Sequence, residues 1–208
     1  MHQFIESIRI ENGKAHHLAL HTERLNRTRQ AHFGSCEVIN LKEYLHEKWQ
    51  DFVLKNTSEN LYKCRIIYSK EIEQISFHPY QIRPVHSLKL VEDNAIDYTY
   101  KTADRAALHA LFKQKAKYDD IIIVKNGLLT DSYYANLIFE VKGQYFTPRR
   151  PLLKGIRRAQ LLRESRVKAI DIQVTDLKKF EAVHLVNAMM GVNDCRLDCS
   201  EIFGGGRI

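Results

Sequence analysis

Residues 126–139 have the sequence Asn126-Gly127-Leu128-Leu129-Thr130-Asp131-Ser132-Tyr133-Tyr134-Ala135-Asn136-Leu137-Ile138-Phe139. Asn-Gly between two apolar runs is a strong signal for a two-residue β-hairpin turn. A second turn of the same kind, Lys142-Gly143, follows the second apolar run. The pattern predicts an antiparallel meander with strands at 120–124, 133–141 and 144–147.

The chain before the meander contains both strand and helix signals. β-Branched residues over 4–10 precede Asn12-Gly13, which predicts an opening hairpin. Residues 22–33 have helical composition that stops at Gly34, and apolar residues recur at helical spacing over 41–53. Further strands are predicted at 61–68, 72–80 and 87–91. We therefore expect an α+β domain over residues 1–95, with its two helices on one face of the sheet.

Residues 96–208 are predicted to form a second small α+β domain that contains the meander. A helix over 103–117 precedes the meander, and another helix begins near Gly155. Strands at 169–174 and 182–187 complete this domain. The glycine-rich tail, 203–208, is expected to be mobile.

The composition indicates an ordinary globular protein, with 44% hydrophobic and 27% charged residues. Neither a run of about 20 apolar residues nor a secretory signal occurs, which favours a cytoplasmic protein without a membrane span. The cysteines, Cys36, Cys64, Cys195 and Cys199, are too few and scattered for a disulfide framework, and we predict no metal site. We expect the histidines His16, His17 and His21 at the surface. The net charge of +7 favours an anionic partner, either nucleic acid or a small molecule.

Two segments have features suited to binding anions or carbonyl compounds. Lys101 opens the segment Lys101-Thr102-Ala103-Asp104-Arg105, thirty residues before Asp131, and a lysine that is buried near another cation can lose its proton. Gly155 lies at a predicted helix start, where the amides of Ile156 and Arg157 could bind an anion. A basic cluster from Arg149 to Arg158 surrounds it, and nucleic-acid contact is the main alternative function for that cluster.

Two more segments complete a recognisable order along the chain: His21-Thr22-Glu23-Arg24-Leu25, and Val186-Asn187-Ala188-Met189-Met190-Gly191-Val192. Together with the three segments above, they resemble the fold-type-IV enzymes that depend on pyridoxal phosphate, the class IV aminotransferase family. The resemblance extends from Ile5 to Val192 and is nearest to the aminodeoxychorismate lyase-like members. Those enzymes usually have an additional strand before the opening hairpin, so we expect its contribution to be missing or replaced.

The resemblance implies the D-amino acid aminotransferase-like fold, with the cofactor in the cleft between two small domains of a homodimer. Lys101 would carry the cofactor as a Schiff base and then act as the base. Asp131, where most members have Glu, would bond the pyridine nitrogen and keep it protonated. The remaining cofactor-binding residues would be Arg24, Asn136, Gly155, Ile156, Arg157, Ala188 and Met189.

The resemblance also leaves two reactions open. A lyase would release pyruvate from 4-amino-4-deoxychorismate and leave p-aminobenzoate, which the Asn187 loop and Ser7 favour. An aminotransferase for branched-chain or D-amino acids is the alternative, although Ala106 stands where branched-chain enzymes have Tyr. Arg105 would contact the substrate carboxylate or the cofactor oxygen. The partner would be a small amino substrate and not nucleic acid; a catalytically weak homologue that binds anions or nucleic acid is the second alternative.

Overall fold

The computed structural model describes residues 2–34, 37–53 and 60–204. Contacts divide the chain into two compact units. Unit 1 comprises Met1–Gln81 and Tyr100–Asp104, and unit 2 comprises Ile82–Thr99 and Arg105–Ile208. The chain thus passes between the units at three places, whereas the sequence predicted one boundary at residue 95. Two pairings explain the difference: residues 88–92 pair with a strand of unit 2, and residues 101–103 bond to a strand of unit 1.

The sheet of unit 1 has four antiparallel strands in the order β2-β1-β3-β4. Its strands are β1 Phe4–Glu11, β2 Lys14–Ala15, β3 Leu61–Tyr68 and β4 Ile72–Pro79. The predicted opening hairpin is present, because Asn12 and Gly13 have φ of 47° and 75° and Ile10 pairs with Ala15.

Two helices cover one face of this sheet, as the apolar spacing predicted. They are α1, Leu18–Phe33, and α2, Leu41–Val53. Helix α1 begins earlier than predicted and ends at Gly34, whose φ is 76°. The core between sheet and helices contains Phe4, Ile8, Ile10, Leu25, Leu41, Leu45, Tyr62, Cys64, Ile66 and Tyr68. Alternation along β1 places Phe4, Glu6 and Ile8 on the same side of the strand, toward this core.

Residues 101–103 pair with the start of β1, on the edge of β1 whose other end pairs with the short strand β2. The Ile5 amide donates to the Lys101 carbonyl over 2.9 Å, and the Ala103 amide donates to the Gln3 carbonyl over 2.8 Å. Because these residues are held in an extended conformation, the following helix cannot begin at Ala103. That helix, α3, covers only Ala106–Lys113.

Unit 2 contains a nine-stranded sheet whose main path runs β10-β9-β8-β7-β6-β5-β13, with β11 paired to β8 and β12. Its strands are β5 Leu88–Glu92, β6 Asp120–Lys125, β7 Leu128–Ser132, β8 Asn136–Val141, β9 Gln144–Pro148, β10 Lys168–Ile170, β11 Ala182–Val186, β12 Arg196–Asp198 and β13 Ile202–Phe203. Helix α4, Ile156–Arg163, follows β9, and short 3-10 helices cover Val174–Lys179 and Cys199–Glu201.

The predicted meander is confirmed, with one strand more than expected. Residues 128–132, which lie between two predicted strands, form β7. Strand β10 ends at Ile170, and a 3-10 helix occupies the end of the predicted strand 169–174. Phe203 pairs with Lys89, so it is part of the sheet rather than a mobile tail. Residues 205–208 of that predicted tail, like Cys36, lie outside the described residues. Among the described helices, none has the length and apolar character to cross a membrane.

Candidate functional site

Three charged or titratable side chains form a buried cluster in unit 1. Arg24 donates to Glu6 through two nitrogens, Nε to Oε1 over 2.7 Å and Nη2 to Oε2 over 2.5 Å. His21 Nδ1 lies 2.6 Å from Glu6 Oε2. Glu6 and His21 are fully buried and Arg24 is 7% exposed. This arrangement is the forked carboxylate geometry in which guanidinium bonds are strongest.

Glu6 was not among the predicted site residues, and His21 was predicted at the surface but is fully buried. A signal was available in both cases. Glu6 alternates with Phe4 and Ile8 on one side of β1, so an acid on the apolar side of the strand needs a buried partner. His21 and Arg24 are three residues apart on α1 and therefore share a helix face.

Partners rather than solvent set the protonation of this cluster. Burial alone would raise the pKa of Glu6, but Arg24 and His21 outweigh it and lower that pKa from 4.5 to about 2. Burial lowers the pKa of His21 from 6.5, and the charges of Arg24 and Lys101 lower it further, against the opposing effect of Glu6. His21 is therefore neutral and Glu6 ionised at physiological pH.

Lys101 belongs to unit 1, beside strand β1. Its carbonyl accepts the Ile5 amide, and its charge acts on His21. The backbone pairing fixes the Cα position of Lys101. Of the residues that the sequence assigned to the cofactor, Arg24 is the other one in this unit, and Glu6 takes two of its five N–H donors.

Ser7, assigned from the sequence to the substrate, lies on the other face of β1. Successive strand residues point to opposite sides, so Ser7 faces away from the side chain of Glu6. Ser7 is half-buried and pairs with Arg65 on β3. Within unit 1, Ser7 and Arg24 are therefore separated by the sheet.

Unit 2 contains Asp131, the acid of segment 126–139, in a separate hydrogen-bond network. Asp131 Oδ1 accepts from Asn136 Nδ2 over 2.7 Å, and Asp131 Oδ2 accepts from the Leu153 amide over 2.8 Å. Asn136 Nδ2 also donates to the Leu153 carbonyl over 2.9 Å. Asp131 and Asn136 are paired across β7 and β8, which brings them side by side. The network therefore ties the acid to the segment that leads into α4.

Asp131 is 5% exposed. Burial raises the pKa of its carboxyl to about 6, against the opposing effects of the Leu153 amide, Asn136 and Arg158. A carboxylate has about four acceptor sites, and the donors from the protein are the Leu153 and Leu152 amides and Asn136, which leaves capacity for a further donor. A protonated ring nitrogen is a donor of the right kind, because its charge would offset the cost of burial.

Gly155 precedes the first residue of α4 and packs tightly against the same network. A Cβ on Gly155 would lie 2.0 Å from Asn136 Oδ1, so no other residue fits there without displacement. Helix α4 begins at Ile156, whose side chain is buried, and its N-terminal amides carry partial positive charge. A closely approached backbone at a helix start suits a phosphate group, and the residues of this unit fit the expected cofactor.

The structure predicts a clear effect of Gly155→Ala. The added methyl must push Asn136 away from Asp131, and overpacking of this kind costs about 1–3 kcal/mol. We expect thermal unfolding followed by circular dichroism to show that loss. Gly191→Ala is the control, because its Cβ would meet its nearest atom at 3.6 Å, an ordinary contact. Equal stability of the two variants would contradict the tight packing.

The basic cluster from Arg149 to Arg158, which ends within the first turn of α4, has two parts with different roles. Arg149 and Arg150 are exposed and lie 3.7 and 3.9 Å from Asp171. Arg158 is buried and donates to Thr147 Oγ1 over 3.1 Å and to the Pro148 carbonyl over 2.8 Å. Arg158 therefore anchors α4 to β9, and the exposed cluster is smaller than the sequence suggests.

The loop after β11 is tightly bonded within itself. Asn187 Oδ1 accepts the Met189 amide over 2.8 Å, and the Gly191 amide donates to Asp194 over 2.7 Å. A Cβ on Gly191 would lie 3.6 Å from Arg157 Nη2, so this loop lies beside α4. The sequence placed Ala188 and Met189 among the cofactor-binding residues, and the Met189 amide has an acceptor within its own loop.

The structure thus gathers the predicted residues into two groups, one in each unit. Lys101 and Arg24 belong to the first group, with Glu6 and His21 added by the structure. Unit 2 contains the second group, which comprises Asp131, Asn136, Gly155, Ile156, Arg157, Ala188 and Met189. That one cofactor joins both groups stays a prediction.

Comparison with known proteins identifies similar chains. A family model described as amino-transferase class IV matches residues 3–197. A protein of Haemophilus influenzae without an assigned function is 33% identical over 195 residues, covering 92% of this chain and 100% of that protein. A crystal structure from Haemophilus somnus, described as a candidate 4-amino-4-deoxychorismate lyase, is 31% identical with a TM-score of 0.85, covering 92% of this chain and 98% of that one. The PLP-bound form of a hypothetical aminotransferase from Mycobacterium tuberculosis is 16% identical with a TM-score of 0.75, covering 98% and 84%, and shows the fold alone.

Proposed function

Because the chain belongs to the class IV aminotransferase family, we propose that it is a pyridoxal-phosphate enzyme that converts 4-amino-4-deoxychorismate into pyruvate and p-aminobenzoate. The family depends on pyridoxal phosphate, and family and neighbours support an enzyme. The predicted family and its D-amino acid aminotransferase-like fold are confirmed. The lyase reaction, its substrate and the residues that perform it make up the proposal.

One observation carries the lyase over the transferase. The Haemophilus somnus protein, described as a candidate lyase, matches this chain at 31% identity over 98% of its own length. Ala106 supports the same choice, since the first residue of α3 supplies a methyl group where branched-chain enzymes have a tyrosine. The aminotransferase reading for branched-chain or D-amino acids is the alternative outcome of the test below.

In this proposal each residue has a task suited to its surroundings. Pyridoxal phosphate supplies a ring that accepts electrons when a bond next to the substrate amine breaks. Lys101 would hold the cofactor covalently, and its amine would move the proton at the substrate carbon. Asp131 would keep the ring nitrogen protonated, because a cationic ring beside it would stabilise its buried carboxylate.

Phosphate binding falls to main-chain amides and one guanidinium. The amides of Ile156 and Arg157 at the start of α4 would hold the phosphate, with Gly155 allowing close approach. Arg24, whose guanidinium Glu6 holds in place, would also contact the phosphate. A cytoplasmic homodimer is part of the same proposal, and analytical ultracentrifugation tests the dimer.

The decisive experiment incubates the purified holoenzyme with 4-amino-4-deoxychorismate and measures both products. Equal amounts of pyruvate and p-aminobenzoate are expected. If no pyruvate forms while D-alanine or L-leucine yields a keto acid, the enzyme is an aminotransferase. If the protein is colourless with added pyridoxal phosphate and instead binds nucleic acid in a strongly salt-dependent way, the enzyme proposal fails.

A further inference from the structure

Asp131 and Asn136 are separated by a tight turn, residues 132–135, that connects β7 to β8. The Ser132 amide donates to the Ala135 carbonyl over 2.8 Å, and the Ala135 amide donates to Ser132 Oγ over 3.1 Å. Tyr133 and Tyr134 are the central residues. The position of this turn decides where the acid and its amide partner lie.

Side chains from distant parts of unit 2 hold both central carbonyls of the turn. Arg105 Nη2 donates to the Tyr133 carbonyl over 2.5 Å. Asn187 Nδ2 donates to the Tyr134 carbonyl over 3.3 Å. Because a two-residue turn cannot bond these carbonyls itself, the two side chains fix its orientation.

Arg105 also contacts the turn through its planar face. Its guanidinium carbon lies 4.3 Å from the centre of the Tyr133 ring and 5.9 Å from that of Tyr98. The other side of Tyr133 stacks on Phe112, with ring centres 4.3 Å apart. Tyr133 is thus layered between a guanidinium and an aromatic ring, a contact that the tetrahedral ammonium of lysine cannot reproduce.

The Nε–Nη2 edge of the Arg105 guanidinium is poorly placed for a carboxylate ligand. Two parallel N–H bonds are the usual way in which arginine grips a carboxylate. Nε of Arg105 is buried without a hydrogen-bond partner among the described residues, and Nη2 points to the Tyr133 carbonyl. Arg105 also acts electrostatically on a buried acid of the same unit, Asp120, at the start of β6.

We propose that Arg105 is a positioning residue, which holds the 132–135 turn and through it Asp131 and Asn136, and that it does not bind the substrate carboxylate. The effect on turnover rests on the proposed function, whereas the hold on the turn rests on geometry alone. This assignment replaces the substrate contact that the sequence suggested for Arg105.

Two variants separate the positioning role from a charge role. Arg105→Lys keeps the positive charge but loses the planar fork, and Arg105→Met loses both. If Arg105 positions the turn, both variants should lower kcat by about 10²-fold with little change in KM, since small misplacements have effects of that size. If it binds the substrate carboxylate, Arg105→Lys should keep kcat and most of the affinity, while Arg105→Met raises KM.

Hydrogen exchange provides a readout that needs neither cofactor nor substrate. In both variants the amides of residues 132–136 should exchange about tenfold faster than in the original protein, because the turn opens more often. Arg166→Lys is the matched control, because Arg166 is 61% exposed and its ion pair with Glu164 is long, at 3.7 Å. Its exchange and kinetics should not change.

The outcomes distinguish this inference from the proposed function. Unchanged exchange at 132–136 in both variants would overturn the positioning role, and so would an Arg105→Lys enzyme with normal kcat. If the original protein neither binds pyridoxal phosphate nor turns over, the proposed function fails. The exchange measurement then still decides whether Arg105 holds the turn.

Discussion

Lys101→Met is expected to prevent covalent attachment of pyridoxal phosphate and to lower turnover by about 10²–10⁴-fold, the contribution of a positioned base. Methionine has similar length but neither forms a bond to the cofactor nor carries a proton. The backbone should be unaffected, because the bond from Ile5 uses the Lys101 carbonyl and not its side chain. The visible spectrum and peptide mass mapping after borohydride reduction measure the attachment.

The control for this variant is Lys63→Met, in the same unit on strand β3. Its ammonium lies 5.8 Å from the centre of the Tyr80 ring, a long contact whose loss should have little effect. Reduction should label Lys101 in the original protein and in the control, and label nothing in Lys101→Met. A label on another lysine, or a yellow and active Lys101→Met enzyme, would refute the assignment.

Glu6→Gln is expected to lower the free energy of unfolding of unit 1 by about 3–5 kcal/mol. The reason is that Arg24 would remain buried with its charge uncompensated, and breaking a buried pair from one side has an effect of that size. Trp49, the single tryptophan, lies on α2 in unit 1, so its fluorescence during urea unfolding reports on this unit.

The same cluster predicts how stability depends on pH. The difference between a pKa of 4.5 in the unfolded chain and about 2 in the folded one corresponds to about 3 kcal/mol. Because the folded pKa is the lower, this stabilisation is complete above pH 4.5 and is lost as the pH falls toward 2. The lowered pKa of His21 acts in the same direction, beginning below pH 6.5.

Glu11→Gln serves as the matched control on the same strand. Its pair with Arg9 measures 2.7 Å but is partly exposed, and such pairs contribute about 0–1 kcal/mol. Glu6→Gln should flatten the acid limb of the stability profile, and Glu11→Gln should leave it unchanged. Similar losses in the two variants would show that the buried cluster contributes no more than a surface pair.

Much of the local structure was predictable from short segments. Asn12-Gly13 and Asn126-Gly127 gave correct hairpin turns, because a turn of this type depends on two residues with positive φ. Strand β7 was not predicted, since its five residues include the polar Thr130, Asp131 and Ser132. These side chains are buried and bonded by partners that local composition does not reveal.

For the candidate site, the sequence predicted a set of residues and not a set of contacts. The order of motifs pointed to Lys101, Asp131 and Gly155. It did not reveal that Glu6 holds Arg24, nor that Arg105 donates to the Tyr133 carbonyl. Both contacts join residues that are far apart in the chain.

The sequence by itself determined the turns, the helical stripes and the family, because these depend on residue types at fixed short spacings. Only the tertiary structure decided which polar groups are buried together, and with it the protonation of Glu6 and Asp131. The physical reason is that a pKa depends on the surroundings of a group. Folding buries both carboxyls and brings Arg24 to Glu6 and the Leu153 amide to Asp131 from other parts of the chain.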